Sequence, residues 1–427
     1  MNHPPLLART RRLDGEIDLV ALAGDDGLLL CREGVGLAGI GMSGRIDLER
    51  RSGEQDAASL RDQLSAIAVE NAVGGPGTGA VALGALPFAP HQPGHLTIPR
   101  VVVGRNEDGE QWVTTITGGD ERPSDDEIEE LIARGRPSTR GFRRDASLTS
   151  PDRSPSSYSV RSEVPPSRWC EAVAAATERI RAGELDKVVL ARVVEVMADA
   201  EILPSAVLAH LRRTHPASVL FSIEGFVGAT PEMLVSRHGD IVRAHPMAGT
   251  APRSGDTETD ARLAAALLAS PNTRAEHRHT IDMVHDTLLP WCSFLDEEDE
   301  PSIVAMANVQ HLATRLEGRL SEPAASVIEL VTALHPTPAV GGTPRDRALE
   351  LIDGLEPIDR GRYAGPVGWI DTAGNGVWVV GIRSAEISGH TARLSAGVGV
   401  VADSDPETEL AETRAKLQTM LTAIVRP

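Results

Sequence analysis

Short apolar runs separated by glycine and polar residues characterise the N-terminal quarter of the chain. Residues 15–48 predict several short strands joined by glycine turns, and the runs 79–86 and 98–105 predict two more. The intervening residues 54–72 predict a helix. This part of the chain is therefore expected to be rich in strands.

Polar residues dominate from about residue 118 to residue 166, where serine, proline, arginine and aspartate are frequent. The run 154–159 has the composition of a mobile linker, whereas Asp125–Arg134 predicts one short helix. These changes in composition divide the chain into three parts, namely residues 1–120, 121–165 and 166–427.

From residue 166 onward, helical and strand patterns alternate, and no internal repeat is evident. Helices are predicted at about 166–182, 204–213, 258–269 and 274–289. Strands are predicted at 187–196 and near 218–225, 232–237, 241–246, 309–318, 377–385 and 392–400. Long elements of both kinds indicate a mixed α/β enzyme core.

Composition limits the classes of partner. The 427 residues carry a formal net charge of −19, which argues against binding to nucleic acid or to an anionic membrane surface. The three cysteines fit no metal-binding spacing, and the N-terminus lacks the apolar run of a signal peptide. No stretch approaches the ~20 apolar residues that a membrane helix requires. We expect a soluble cytoplasmic protein.

The segment Ser395–Lys416 combines a glycine-rich turn with a helix that carries charged residues on one face. Glu409, Glu412 and Lys416 are spaced i, i+3 and i+7, which places them on the same side of that helix. Two carboxylates so placed can bind a hard divalent cation, and the lysine can meet an anionic ligand. An ordinary amphipathic helix with solvated charges fits the same spacing.

Two charged residues at strand starts are candidates for acid–base chemistry. Lys187 opens a strand and shares its face with Val189 and Ala191, so its side chain is expected to point toward the packed side. A lysine in a partly apolar site can act as a base near neutral pH. Glu232 follows a proline-containing turn among small and apolar neighbours, which raises the pKa of a carboxyl group and suits a general acid. Taken alone, each residue also fits a solvated strand end.

Three further sites have residue types suited to ligand binding. Gly249 and Thr250 form a small-residue turn that can hold a carboxylate, although a plain loop has the same composition. Glu276 lies on a predicted helix and is a candidate third carboxylate for Mg²⁺, while the nearby histidines lack the spacing of a zinc site. Arg383 lies on a strand with apolar flanks, and a largely buried guanidinium requires an anionic partner, in the protein or in a substrate.

The glycine pair Gly397 and Gly399 does not belong to a dinucleotide-binding fingerprint, because the third glycine of that fingerprint is missing. We interpret these glycines as positions where the backbone closely approaches a ligand. The sequence contains no P-loop, nucleophile elbow or C-x-x-C motif.

Eight blocks of sequence together resemble the chorismate-utilising enzymes, and most closely the isochorismate synthases among them. The blocks fall in the family's order across about 165–425, whereas the residues before 120 resemble the family's variable N-terminal part more loosely. The blocks are Asp186–Arg192, Gly228–Leu234, Pro246–Thr250, Glu276–His277, His311–Thr314, Leu334–Gly342, Glu356–Trp369 and the C-terminal block with Arg383 and Lys416.

This resemblance implies a single large α/β domain of the α+β type, with two antiparallel sheets packed together and helices outside. Residues 1–120 would be the variable part of this fold, 121–165 a linker and 166–427 the chorismate-binding catalytic region. The implied activity is that of an isomerase, which converts chorismate to isochorismate by attack of water at C2 with loss of the C4 hydroxyl. The resemblance further implies a monomer that requires Mg²⁺ and serves menaquinone or siderophore biosynthesis.

The resemblance also implies a role for each candidate residue. Lys187 would activate the attacking water, and Glu232 would protonate the departing hydroxyl. Mg²⁺ would bind the ring carboxylate and would be held by Glu276, Glu409 and Glu412. The remaining substrate-binding residues would be Gly249, Thr250 and His311 at the ring, with Tyr363, Arg383, Gly397 and Lys416 at the carboxylates.

Two other activities of the family stay open as alternatives. A salicylate synthase would add elimination of pyruvate, and component I of an anthranilate or aminodeoxychorismate synthase would use ammonia. The loop Leu334–Gly342 resembles the isochorismate synthase version, although Gly341 stands where serine or cysteine is common. Lys187 favours water as the nucleophile, because anthranilate-type enzymes generally lack this lysine.

Overall fold

The computed structural model describes residues 5–49, 53–118, 122–136, 155–306 and 309–427. The elements in these ranges are β1 (Leu6–Arg12), α1 (Leu19–Ala23), β2 (Leu28–Arg32), β3 (Val35–Ile40), β4 (Gly44–Leu48), α2 (Gly53–Ser65), β5 (Ala68–Asn71), β6 (Val81–Ala85), β7 (Gly94–Ile98), β8 (Val101–Arg105), β9 (Gln111–Gly118), α3 (Asp125–Ala133), β10 (Tyr158–Ser162), α4 (Pro166–Arg181), β11 (Lys187–Ala198), α5 (Pro204–Thr214), β12 (Val219–Ile223), β13 (Phe226–Thr230), β14 (Met233–His238), β15 (Ile241–His245), β16 (Met247–Pro252), α6 (Thr257–Ala269), α7 (Pro271–Leu288), β17 (Cys292–Glu297), β18 (Ser302–Ala305), β19 (Val309–Ala313), β20 (Leu316–Leu320), α8 (Val327–Leu334), β21 (Gly342–Thr343), α9 (Arg345–Leu355), β22 (Pro366–Asp371), β23 (Gly376–Val380), β24 (Ser384–Ser388), β25 (Thr391–Val400) and α10 (Pro406–Val425).

Two large sheets dominate the architecture. The first has the order β10-β11-β25-β24-β13-β12-β2-β3-β8-β9-β1-β5, with β21 also paired to β11. The second has the order β17-β20-β15-β14-β23-β22-β6-β7-β4. Neighbouring strands are antiparallel, except that β1 and β5 are parallel. The predicted pair of antiparallel sheets is therefore confirmed, and a small third sheet, β16-β19-β18, adds to it.

The two large sheets pack face to face through apolar side chains. Leu30 and Leu37 of the first sheet share a buried cluster with Leu83 and Trp369 of the second. On its outer face, the first sheet is covered by helices, and Leu417 of α10 belongs to a buried cluster there. Full burial of one such side chain stabilises the fold by about 1.5–3 kcal/mol. This packing fixes α10 against β25, so that Lys416 of α10 reaches the backbone of β25.

Several predicted elements have different boundaries in the structure. The helix predicted at 54–72 ends at Ser65, because the following residues Ala68–Asn71 pair with β1 as a strand. The strand predicted at 309–318 is two strands, β19 and β20, and these belong to different sheets. The helix predicted at Asp125–Arg134 is present as α3. It begins with a capping box, in which Ser124 and Glu127 satisfy each other's backbone N–H groups.

The linker predicted at 121–165 contains α3 and also β10, which pairs with β11. Residues 137–154 lie outside the described residues, so the linker and the domain limits stay predictions. Among the helices that the structure describes, none is long and apolar enough to cross a membrane.

Candidate active site

A cavity of about 280 Å³ lies where β11, β25, α7, α10 and the small sheet meet. Its walls contain all twelve residues that the sequence analysis selected. These are Lys187, Glu232, Gly249, Thr250, Glu276, His311, Tyr363, Arg383, Gly397, Glu409, Glu412 and Lys416. The structure thus brings together residues from both halves of the catalytic region, while their roles stay predictions.

Lys187 begins β11 and reaches across its neighbouring strand β25 into the cavity. Its Nζ donates to Oε1 of Glu276 at 2.6 Å, and only 13% of the lysine side chain is exposed. A Cβ on Gly399 would lie 2.6 Å from Cε of Lys187, so a larger residue here would displace the lysine side chain. The glycine therefore makes room for the lysine.

Glu232 lies in the short connection between β13 and β14 and is buried. Burial raises the pKa of its carboxyl group to about 7, although the positive charges of Arg383 and Lys187 oppose that rise. A carboxyl group with such a pKa is partly protonated at neutral pH and can donate a proton.

Arg383 lies in the loop between β23 and β24, and the prediction that it sits on a strand is wrong. Its backbone has φ +52°, a left-handed conformation that ends the strand there. Among the described residues, its guanidinium has no hydrogen bond or ion pair, and burial lowers its pKa. Tyr363, Glu232 and Glu412 are its negatively charged or ionisable neighbours. The guanidinium is thus free to bind an anion in the cavity.

Gly397 lies within β25, so the predicted glycine-rich turn is in fact part of a strand. The turn that leads into α10 follows at residues 401–405. Lys416 of α10 donates to the carbonyl oxygen of Gly397 at 3.0 Å and to Oε1 of Glu412 at 2.7 Å. A Cβ on Gly397 would lie 3.1 Å from the Tyr363 hydroxyl. The absence of a side chain at Gly397 therefore lets backbone, tyrosine and lysine meet.

Gly249 and Thr250 lie on β16 of the small sheet, not in a turn as predicted. The pairing with β19 shifts register beside them, and Gly249 has φ +77°, which favours glycine. Nδ1 of His311 on β19 lies 3.1 Å from the Thr250 hydroxyl and 3.2 Å from the Gly249 carbonyl oxygen. Burial, with the charges of Arg383 and Lys416, lowers the His311 pKa to about 3. The imidazole is consequently neutral at pH 7.

The three predicted metal-binding carboxylates all reach the cavity. As placed, Glu276 pairs with Lys187 and Glu412 pairs with Lys416. No three histidine, cysteine or acidic side chains within the described ranges are close enough together to ligate one ion. The pKa of Glu409 is raised by burial and by the charge of Glu412, although a hydrogen bond with Ser404 opposes this. Glu409 and Glu412, together with Glu276 on the same cavity wall, offer the oxygen ligands that a hard divalent cation prefers.

The sequence analysis missed one pair of charged residues at this cavity. Arg360 lines the wall and forms a buried ion pair with Glu356. Both belong to a sequence block that resembles the family, and that block was the available signal. Their contacts reach residues that are far away in the sequence, so spacing alone gives no function.

Comparisons with known proteins agree with this geometry. The family model described as chorismate binding enzyme matches residues 31–425. Isochorismate synthase DhbC of Bacillus subtilis is 41% identical over 278 residues, which cover 62% of this chain and 70% of that protein. Isochorismate synthase EntC of Escherichia coli is 32% identical over 387 residues, which cover 89% of this chain and 90% of that protein. The solved structure of MenF, the menaquinone-specific isochorismate synthase of Escherichia coli, has a TM-score of 0.79 at 25% identity, covering 99% and 95% of the two chains.

Proposed function

We propose that this chain, which belongs to the chorismate-binding enzyme family, is an isochorismate synthase. The reaction is an isomerisation of chorismate, in which water adds at C2 of the ring and the hydroxyl leaves C4. One observation carries the proposal. Lys187 and the buried Glu232 line the same cavity, closely enough that the lysine charge acts on the glutamate pKa. This exchange of hydroxyl groups requires such a pair of base and acid.

In the proposed mechanism, Lys187 takes a proton from a water molecule while the water oxygen forms a bond to C2. The two ring double bonds shift, and the C4–O bond breaks. Glu232 gives its proton to the departing hydroxyl, which leaves as water. One water enters and one leaves, so the product is an isomer of chorismate. The raised pKa of Glu232 supports this role, because it keeps a proton available near pH 7.

Chorismate carries two carboxylates, and the cavity offers positive groups to bind them in a protein whose net charge is −19. We assign the enolpyruvyl carboxylate chiefly to Arg383, with Tyr363, Lys416 and the backbone of Gly397 beside it. The unpaired guanidinium of Arg383 supports this assignment, because its N–H donors are not used by the described protein groups.

The ring would lie against Gly249, Thr250 and His311. The neutral state of His311 supports this assignment, because an uncharged imidazole does not compete with the cationic groups for the carboxylates. The hydroxyl of Thr250 and the carbonyl of Gly249 hold the orientation of the imidazole through its Nδ1. These residues would therefore orient the substrate and exclude water from its ring.

Glu276, Glu409 and Glu412 are the residues that would hold Mg²⁺. When bound, Mg²⁺ supplies positive charge for the ring carboxylate of chorismate. Glu276 and Glu412 would then exchange their lysine partners for the ion. The donor set supports Mg²⁺ rather than zinc, because it consists of carboxylate oxygens without histidine or cysteine.

Incubation with chorismate and Mg²⁺, followed by chromatography, tests the proposed function. Isochorismate is the expected main product, and the Lys187→Ala variant is expected to form almost none. Salicylate with pyruvate would instead establish the salicylate synthase alternative, and anthranilate formed from ammonia would establish the anthranilate-type alternative. The names of DhbC, MenF and EntC favour isochorismate.

We further propose that the enzyme acts as a monomer in the cytoplasm and that its isochorismate is used for menaquinone or a siderophore. The description of MenF as menaquinone-specific supports the first of these two uses. Growth of a deletion strain with and without added menaquinone precursors would distinguish them.

A further inference from the structure

The strand that carries Lys187 lacks a partner strand along part of one edge. On this edge, β21 pairs with Lys187 and Val188, and β10 pairs with the residues from Val194 onward. No described strand lies beside the stretch between these two pairings. Backbone groups in such a gap require other partners, because an unpaired buried N–H or C=O is costly.

Backbone groups of Gly341 and Glu163 bond to Val189 and Val193 at the ends of this gap, and side chains supply further hydrogen bonds. The N–H of Ala191 donates to Oε1 of Glu356 at 2.6 Å, and Nη2 of Arg360 donates to the carbonyl oxygen of Val189 at 2.6 Å. The indole Nε1 of Trp169 donates to the carbonyl oxygen of Ala191 at 3.1 Å. Glu356 and Arg360 thus take the place of a neighbouring strand along this gap.

The two side chains are themselves joined by two hydrogen bonds. Nε and Nη2 of Arg360 donate to the two carboxylate oxygens of Glu356, at 2.8 and 2.5 Å. The side chains are only 4% and 3% exposed, so the pair is shielded from solvent and from salt. A buried ion pair of this kind holds one geometry, because few alternative partners exist in the interior.

The pair also contacts the loop that adjoins the strand of Lys187, in which Gly341 accepts from the N–H of Val189 at 2.9 Å. Nη1 of Arg360 donates to the carbonyl oxygen of Val340 at 2.9 Å, and Val340 lines the cavity together with Val189. The guanidinium additionally stacks on the ring of Phe88, 4.1 Å from its centroid. One side chain therefore ties the strand of Lys187 to the adjoining loop, and both line the cavity.

The two arginines that line the cavity differ in how many of their N–H donors the protein already uses. Four hydrogen bonds to the protein use most of the N–H donors of Arg360. Arg383, by contrast, has no such partner among the described residues. The free donors of Arg383 suit contact with the substrate, whereas Arg360 uses its donors for contacts within the protein.

We propose that Arg360, held by Glu356, is a positioning residue that fixes the strand of Lys187 against the adjoining loop at Val340. It acts on the reaction by holding Lys187 at the correct place for the attacking water. A displacement of about 1 Å at a reacting group can lower the rate by about 10²-fold. This inference rests on the proposed function, since it assigns Lys187 the role of base.

The test compares Arg360→Lys with Arg362→Lys. Arg362 is the matched control, because it forms its own ion pair with Glu386 and stacks on Phe226 but does not line the cavity. We expect Arg360→Lys to lower kcat by roughly 10- to 100-fold with KM for chorismate changed less than about threefold. Arg362→Lys is expected to leave kcat within about threefold of wild type.

Hydrogen–deuterium exchange supplies a readout that does not depend on turnover. In Arg360→Lys, and not in Arg362→Lys, the peptide that contains Ala191 is expected to exchange faster, because its amide loses a fixed acceptor. If Arg360→Lys does not fold, the double variant Glu356→Gln/Arg360→Met removes both charges and is measured in the same way.

Wild-type kcat in a folded Arg360 variant would overturn the inference. A large rise in KM with unchanged kcat would overturn it as well, since that result identifies a substrate contact. If wild-type protein consumes no chorismate, the proposed function fails and the inference fails with it. If the wild-type protein converts chorismate and the Arg360 variants behave like Arg362→Lys, the proposed function stands and only this inference fails.

Discussion

The Nζ of Lys187 lies 2.6 Å from Oε1 of Glu276, so the candidate base and a candidate metal ligand form one ion pair across the cavity. The lysine side chain is 13% exposed and the glutamate side chain 39%, so the pair is only partly screened by solvent. A divalent ion bound to Glu276 would compete with Lys187 for the same negative charge. Binding of Mg²⁺ is therefore expected to change the surroundings of Lys187 as well as those of the carboxylates.

Removal of Mg²⁺ with EDTA is expected to abolish turnover of chorismate, and added Mg²⁺, not Zn²⁺, to restore it. The Glu276→Gln variant should require roughly 10- to 100-fold more Mg²⁺ for half-maximal activity, because a neutral amide is a poorer ligand for a hard cation. Titration of activity with Mg²⁺ measures this.

Glu407→Gln is the control for the Mg²⁺ titration. Glu407 lies on α10 near Glu409 but is exposed and does not line the cavity. An equal shift in both variants would show that net charge, not ligation, is responsible. Full activity in EDTA would exclude a required metal.

The proton of Glu232 sets the expected alkaline limb of the pH profile. Because the pKa of this carboxyl is about 7, kcat/KM should fall as the pH rises above about 7. Glu232→Gln keeps the size of the side chain but cannot donate the proton, and should lower kcat by at least ~10²-fold. Steady-state kinetics across pH check both expectations. An unchanged kcat in Glu232→Gln would remove this residue from the mechanism.

A side chain at position 399 is expected to displace Lys187, because a Cβ there would lie 2.6 Å from Cε of the lysine. Gly399→Ala should lower kcat by roughly 10-fold or more through misplacement of the base. Gly354→Ala is the matched control, since a Cβ at that exposed position in α9 meets no atom within 4 Å. The control should keep full activity and gain up to about 1 kcal/mol of stability. Equal kinetics in the two variants would contradict the proposed contact.

Local patterns predicted the positions of several site residues well. The i, i+3, i+7 spacing placed Glu409, Glu412 and Lys416 on one face of α10, where the structure has them at the cavity. Packing of Leu417 against the first sheet then decides which face of α10 is buried. A sequence shows such spacing directly, because it depends only on the helical repeat.

Long-range contacts escaped prediction for physical reasons. The hydrogen bond between Ala191 and Glu356 joins residues 165 positions apart, and no local pattern encodes it. The apolar run at 377–385 predicts one strand, but the left-handed backbone of Arg383 divides it into β23 and β24. The same backbone conformation turns the guanidinium into the cavity region, which strand alternation alone does not predict.

The raised pKa of Glu232 also predicts a cost in stability for this candidate acid. A carboxyl with a folded pKa of about 7 and a usual value of 4.5 stabilises the fold fully only below about pH 4.5. That contribution is lost as the pH rises through about 7, because the buried group must then ionise. The difference of pKa corresponds to about 3 kcal/mol.

Glu232→Gln removes this cost and is expected to be more stable than wild type at about pH 8, by up to about 3 kcal/mol, and less so near pH 5. Urea unfolding at both pH values measures the difference. Glu386→Gln, on a partly exposed ion pair away from the cavity, should show no such gain. A variant that is both inactive and more stable at alkaline pH would show that the site keeps an unfavourable buried acid because the reaction requires its proton. If Glu232→Gln and wild type have the same free energy of unfolding at both pH values, Glu232 ionises without cost. Its role as acid at neutral pH would then fail.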